Sequence, residues 1–396
     1  MMRWFFIVGL MSVWMHAAEV VAVGDKFKNS DKCRACHNHI VNQWDDSWHS
    51  KSHYENDEYF QKTIDYISRK THTSVGSLKV ECATCHNPRI SVTKTSAEYE
   101  ALASLKATGH TNVDKALGSD NISEGINCVV CHNIDQIHDG LPENKRGMER
   151  VTWMKSGIMS GPYDDAKSPY HKVEPREFMD TNPDQLCFVC HANDTSKEGH
   201  RFTNMKADFK SGGKKCVDCH MGPRVEGVAA TLRNANGQQH KRLVRSHGFK
   251  GAHTENMWQG ALGVDVRKTS NTLEVKLTNP HPHALPSGFG AREILIEANY
   301  MNGQQVIQTK TLSLTSNYVS KRGKPTVPHL AVKTVQNISI PAESSKSFSL
   351  PLVANANQVM IVVSYRLVND EVREMLELKE PIWSKKMVIK KLNLKL

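Results

Sequence analysis

Ten cysteines and five histidines of the 396-residue chain fall into one repeated pattern. Cys33, Cys36 and His37 form the first copy, Cys82, Cys85 and His86 the second, and Cys128, Cys131 and His132 the third. Cys187, Cys190 and His191 form the fourth, and Cys216, Cys219 and His220 the fifth. Each reads C-x-x-C-H, and composition alone predicts about 0.01 such matches in a chain of this length. Two thiols three residues apart share a face of one helical turn, so both can add across the two vinyl groups of one porphyrin. The adjoining histidine then gives the iron its proximal nitrogen. A zinc site also uses C-x-x-C, but it takes two such pairs per metal and needs no histidine after each. The pattern therefore implies five covalently attached haem c groups. The ten cysteines are their attachment points, and His37, His86, His132, His191 and His220 are their proximal ligands.

The segments that position these groups are short. Between Asp25 and about Trp258 the motifs recur every 29 to 59 residues, too little chain per haem for separate apolar cores. The porphyrins must serve as the core of a mostly helical and looped domain spanning 25–260. Phe60, Ile64 and Ile67 at i, i+4 and i+7 predict a helix over Tyr54–Lys70. Thr95-x-x-Glu98 and Gly109 bracket a second, over Ser96 to Ala107. Residues 139–183, rich in glycine, proline and charge, predict mostly loop.

After Trp258 cysteine disappears and period-2 alternation begins. Leu273, Val275 and Leu277 alternate with polar residues, as do Ile294, Ile296, Ala298 and Tyr300. Asn302-Gly303 reads as a hairpin turn. Phe348, Leu350 and Leu352 follow, then Val359–Leu367, an Asn369-Asp370 turn and a further strand over Val372–Leu378. About seven short strands in this stretch predict an immunoglobulin-like β-sandwich over 268–396, with a boundary near 260–270. The fold class is thus α+β.

The chain opens with Arg3, an apolar run from Trp4 to Met15, and Ala17-Ala18. That is the pattern of a secretory signal peptide over 1–18 and implies export to the periplasm. His16 fits the cleavage position poorly, which leaves open an uncleaved N-terminus and membrane association through it. The formal charge is +10, but five haems carry ten propionates, about ten negative charges when ionised, so much of the basicity answers the cofactors. Nucleic acid is not an expected partner.

The haem region resembles the multihaem cytochromes related to cytochrome c-554 and hydroxylamine oxidoreductase. The resemblance rests on four segments: Cys33-x-x-Cys-His with Trp44-x-x-Ser47-x-His49; Glu124-Gly125-Ile126 before Cys128; Ser168-Pro169-Tyr170-His171; and Arg245-Ser246-His247-Gly248-Phe249. It covers about 25–255. By position it implies His49, His171 and His247 as distal ligands. Pro280-His281-Pro282-His283-Ala284-Leu285-Pro286-Ser287-Gly288 resembles the loop of β-domains appended to such cytochromes, with Pro282 and Ser287 departing from the usual Gly and Thr.

Function turns on the sixth position of each iron. Two histidines close an iron for electron transfer, and one leaves it open to a substrate. Fourteen histidines remain after the proximal five and His16 are set aside. Besides the three above, His110, just past a helix end, and His138, six residues after His132, are the expected distal ligands. His53, His200, His240 and His253 are reserves, and His39 is too close to His37 to serve the same iron. His281 and His283 either cap a haem across the domain boundary or only pin the β-domain. The favoured reading is a periplasmic pentahaem carrier passing electrons between a quinol-oxidising donor and a terminal reductase or other cytochromes. The alternatives are an oxidoreductase acting on a small nitrogen or sulfur compound at one open haem, and a subunit of a conductive filament.

Overall fold

The computed structural model describes residues 18–20, 27, 29–233, 236, 237 and 239–396. The expected leader, 1–18, lies outside the described residues apart from Ala18, which opens a short strand, Ala18–Val20, paired antiparallel with Val92–Thr95. The N-terminal region is built from short helices: α1 (Asp31–Asp45), α2 (Glu58–Thr71), α3 (Val75–His86), α4 (Ala97–Ser104), α5 (Asn112–Leu117), α6 (Cys128–His132), α7 (Asp184–His191), α8 (Met205–Asp208) and α9 (Cys216–His220).

Capping chemistry decides where the two predicted helices run. The first starts at Glu58, four residues later than its apolar spacing suggested. The Asp57 side chain accepts from the Phe60 amide at 3.1 Å, which stops the helix from extending back to Tyr54. His72 ends it in the left-handed region at φ 59°. The second is capped by Ser96, not Thr95: its hydroxyl accepts from the Tyr99 amide at 3.3 Å. It stops at Ser104, and Lys106 at φ 55° turns the chain before Gly109 is reached. Residues 139–183 carry only short pairings, among them Ile158–Gly161 parallel to Lys172–Pro175.

The C-terminal region holds seven longer strands: β1 (Gly263–Lys268), β2 (Thr272–Asn279), β3 (Glu293–Asn302), β4 (Gln305–Leu314), β5 (Ser344–Pro351), β6 (Gln358–Arg366) and β7 (Met387–Lys395). They form two antiparallel sheets, ordered β1-β2-β5 and β4-β3-β6-β7. Alternation works as the pleat requires: Leu273, Val275 and Leu277 on one sheet and Ile294, Ile296 and Tyr300 on the other are fully buried. Asn302-Gly303 makes the expected hairpin, with Gly303 at φ 59°. The strand expected over Val372–Leu378 is instead a helix, α10 (Asp370–Met375). Asn369 caps it by accepting from the Val372 amide at 2.9 Å, and Asp370 and Glu371 fill its first turn. The place beside β6 is taken by β7, where Met387 and Ile389 bury while Val388, Lys390 and Lys391 are exposed. One cluster of buried side chains joins both sheets to Phe60, Ile64 and Ile67 of α2, so the β-domain packs directly on the helical region.

Within that domain Arg366 donates to Glu293 from two nitrogens and to Asp370 at 2.7 Å. The Arg366 and Glu293 side chains are 8 % and 5 % exposed. Removing one member strands a buried charge. Arg366→Met is expected to lower stability by about 3–5 kcal/mol in thermal unfolding, and adding Glu293→Leu should recover most of that loss. A double variant no more stable than the single would count against the account.

Candidate functional site

Every C-x-x-C-H copy forms one helical turn. The histidine is the last helical residue in α3, α6, α7 and α9, and in α1 it marks a kink, at φ −114° and ψ 33°. The motif thus sets two thiols on one side and releases the imidazole at the end of the turn. Nine of the ten cysteines, all but Cys219, and all five motif histidines line one continuous cavity of ≈ 2180 Å³. The lining is mainly apolar, and Lys32, Lys167, Arg224, Arg233, Lys250 and Arg292 also reach it. Arg292 makes its hydrogen bond to the Ser287 carbonyl at 2.9 Å, and no ion pair is found for it among the described residues. Such cations would suit the propionates of a haem.

Four motif histidines face a second imidazole. His37 lies 6.5 Å from His171, His191 lies 6.2 Å from His49, His132 lies 6.2 Å from His247, and His220 lies 6.3 Å from His283, ring centre to ring centre. Two metal–imidazole bonds of ~2.1 Å, each extended by about 1.1 Å from nitrogen to ring centre, span about 6.4 Å. The four pairs therefore fit an iron held between their rings.

Hydrogen bonds sort these histidines from the rest. The Nδ1 atoms of His37, His132 and His220 meet the carbonyls of Ala229, Ser160 and Lys250 at 2.6, 2.7 and 2.6 Å. Those of His247 and His283 meet the carbonyls of Arg245 and Ala284 at 3.1 and 3.0 Å. A carbonyl accepts only from N–H, so the proton sits on Nδ1 and Nε2 is left bare for a metal. His49 differs, its Nδ1 being buried without a partner. Burial also keeps three rings neutral, the form that ligates: it pushes His49 down to about 3 and His86 and His247 down to about 4.

Other expected positions are not brought there. His138 is half-buried outside the cavity lining, with Nε2 bonded to the Thr152 hydroxyl at 2.8 Å. His110 sits in an exposed turn ahead of α5, outside the cavity lining. Among the reserves, His39 and His200 have Nε2 bonded to Gln43 and Thr334 at 2.9 and 2.8 Å. His53 lies outside the cavity lining, and the His240 side chain lies outside the described residues. His253 does line the cavity, wedged between Trp48 and Trp383. His281 is 6.1 Å from His283 but has Nε2 bonded to the Ala261 carbonyl at 2.8 Å, which separates ring spacing alone from a ligand pair.

His86 stands apart. Its ring stacks on Phe60 at 4.0 Å and 8°, and its Nδ1 meets the Ser52 hydroxyl at 3.1 Å. No imidazole faces it at ring distance among the described residues. His329 lines the same cavity, is near enough to disfavour the charged form of His86, and has its own Nδ1 buried without a partner. No motif surrounds His329, so the sequence offered nothing to single it out.

Residues 81–152 match the family model described as cytochrome c554 and c-prime. A solved penta-heme cytochrome c552 from Thermochromatium tepidum superposes with a TM-score of 0.68 at 17 % identity, over 93 % of this chain and 98 % of that one. The chain has the fold of a multihaem c-type cytochrome. A structural-genomics target matches 34 % of this cytochrome at 12 % identity with a TM-score of 0.18, too low to carry an argument. No curated protein matches it. With the five motifs and the cavity, these findings establish haem c as its covalently bound cofactor.

Gly125 shows how the fold aims one distal histidine. At φ 66° a Cβ there would sit 2.8 Å from the Ser52 carbonyl and 2.9 Å from that of His49. Only glycine lets the chain come so close, and the Ile126 amide then donates to the His49 carbonyl at 3.0 Å. Gly125→Ala should displace His49 and turn one haem per chain high-spin in the ferric protein, read by electron paramagnetic resonance. An unchanged spectrum would refute this positioning role.

Proposed function

We propose that this cytochrome is an exported pentahaem electron-transfer protein. One observation carries the reading: thiols of different motifs come together inside the cavity. Cys33 faces Cys128, Cys85 faces Cys190, and Cys187 faces Cys216, with Cys131 also near Cys187. Haems attached at these points would abut and give one branched path with the Cys187–Cys190 haem at its junction. His171, His247 and His49 would close three of the irons from within the haem region, leaving them to relay electrons. Periplasmic location follows from the leader pattern and from haem attachment outside the bacterial cytoplasm. No helix among the described residues is long and apolar enough to cross a membrane. The partners are redox proteins, a quinol-oxidising donor and a terminal reductase or other cytochromes. The two C-terminal sheets are proposed to form an immunoglobulin-like sandwich over about 268–396, following a haem domain over 25–260.

Reductive titration of the purified protein should take up five electrons per chain, and mass spectrometry should find five haems. Mixing the reduced protein with an oxidised soluble cytochrome should drain all five. Fewer than five bound haems, or one that stays reduced, would count against a continuous path.

The lone His86 favours a second reading, in which the Cys82–Cys85 haem is five-coordinate and acts on a small nitrogen or sulfur compound. Carbon monoxide should then bind one reduced haem per chain, and nitrite or hydroxylamine should oxidise the reduced protein catalytically. Carbon monoxide binding without turnover would leave the carrier reading with one open iron, and absence of binding would end the second reading.

A further inference from the structure

The fifth motif is served from an unexpected place. His283 belongs to the β-domain, in the loop that follows β2. It lies 6.3 Å from His220 with the two ring planes inclined by 25°, matching the pairs formed within the haem region. Each ring has its Nδ1 spoken for: His220 by the Lys250 carbonyl at 2.6 Å, His283 by the Ala284 carbonyl at 3.0 Å with the Ser287 hydroxyl at 3.2 Å. Neither Nε2 has a hydrogen-bond partner among the described residues, and both residues line the cavity.

The loop is built to hold that ring still. Asn279 is fully buried, and its side-chain amide donates to the His283 carbonyl at 2.8 Å and to the Ile340 and Pro341 carbonyls at 3.1 and 3.0 Å. Pro280 and Pro282 restrict φ on either side of His281. The Lys210 amide donates to the Pro282 carbonyl at 2.7 Å, which ties the loop to the segment leading into Cys216. A histidine that merely pinned two domains would spend its second nitrogen on the facing domain, as His200 does on Thr334 at 2.8 Å. His283 does not.

We propose that His283 is the sixth ligand of the iron of the Cys216–Cys219 haem. The coordinate bond then crosses the domain boundary, and the β-domain is part of a redox centre as well as its cover. Moving the β-domain off the helical region would open that iron. The proposal rests on the chain carrying haem c at the fifth motif, and it is independent of whether electrons pass onward.

The test uses the full-length, fully loaded protein. His283→Ala should add one high-spin ferric haem per chain to whatever the wild type shows, with one further haem binding carbon monoxide, and added imidazole should return the low-spin signal. His281→Ala should leave the spin count unchanged. His283→Met keeps a ligand and guards against a variant that fails to accumulate: one haem should stay low-spin with a raised potential, because thioether ligation favours the ferrous iron. Five haems with wild-type spin count in His283→Ala, or five unchanged potentials in His283→Met, would overturn the assignment. A protein that shows the expected spectra yet fails the electron-drain experiment would lose the carrier reading and keep this one.

Discussion

A haem iron that takes an imidazole on each face would fix two points of the chain at one separation, and four facing histidine pairs of this molecule meet that separation. The pairs His37–His171, His49–His191 and His132–His247 each join residues more than a hundred positions apart, and His220–His283 joins two domains. The four separations fall between 6.2 and 6.5 Å. Regular secondary structure in the haem region is correspondingly thin. Helices such as α6 and α9 last only as long as the attachment motif, and the connections run wherever an imidazole must be delivered. With the porphyrin as common core, the polypeptide needs little apolar clustering of its own. The small cluster of Val80, Ile90, Tyr99 and Val113 steadies the α3–α5 corner.

Electrostatics follow from the same enclosure. Burial strips the proton from His49, His86 and His247, and a neutral imidazole is what a metal accepts. Backbone carbonyls hold Nδ1 protonated in His37, His132, His220, His247 and His283, which settles the tautomer before any metal arrives. Arg292 and Lys250 reach a lining that is mainly apolar. Propionates there would meet such cations, so the basic excess of the sequence and the anionic edges of the cofactor would belong to one balance.

The two regions are not independent bodies joined by a linker. Phe60 stacks on His86 and also belongs to the cluster that includes β2, β3 and β6. Glu58 receives the amides of Lys379 and Glu380 at 2.8 and 2.9 Å. The helix α2 therefore serves as the plate against which the β-domain rests. Loops from that domain carry His283 and His329 into the cavity lining.

How much was legible before folding depended on how local each signal is. Haem attachment needs two thiols and a histidine within five residues, so the covalent haem chemistry and the alternating strands were readable from the sequence alone. Gly125 was visible as part of a familiar segment, but its reason, the His49 carbonyl standing 2.9 Å from where a Cβ would be, was not. Distal ligation is non-local: nothing in the spacing around His138 or His110 marks them as lying outside the cavity lining, and nothing around His329 marks it as part of that lining. Asn369-Asp370 read as a turn between strands because a turn and a helix cap use the same side chains. Only the packed structure separates these cases, because which nitrogen is already bonded, and which face of a loop meets the cavity, are decided by residues far away in the chain.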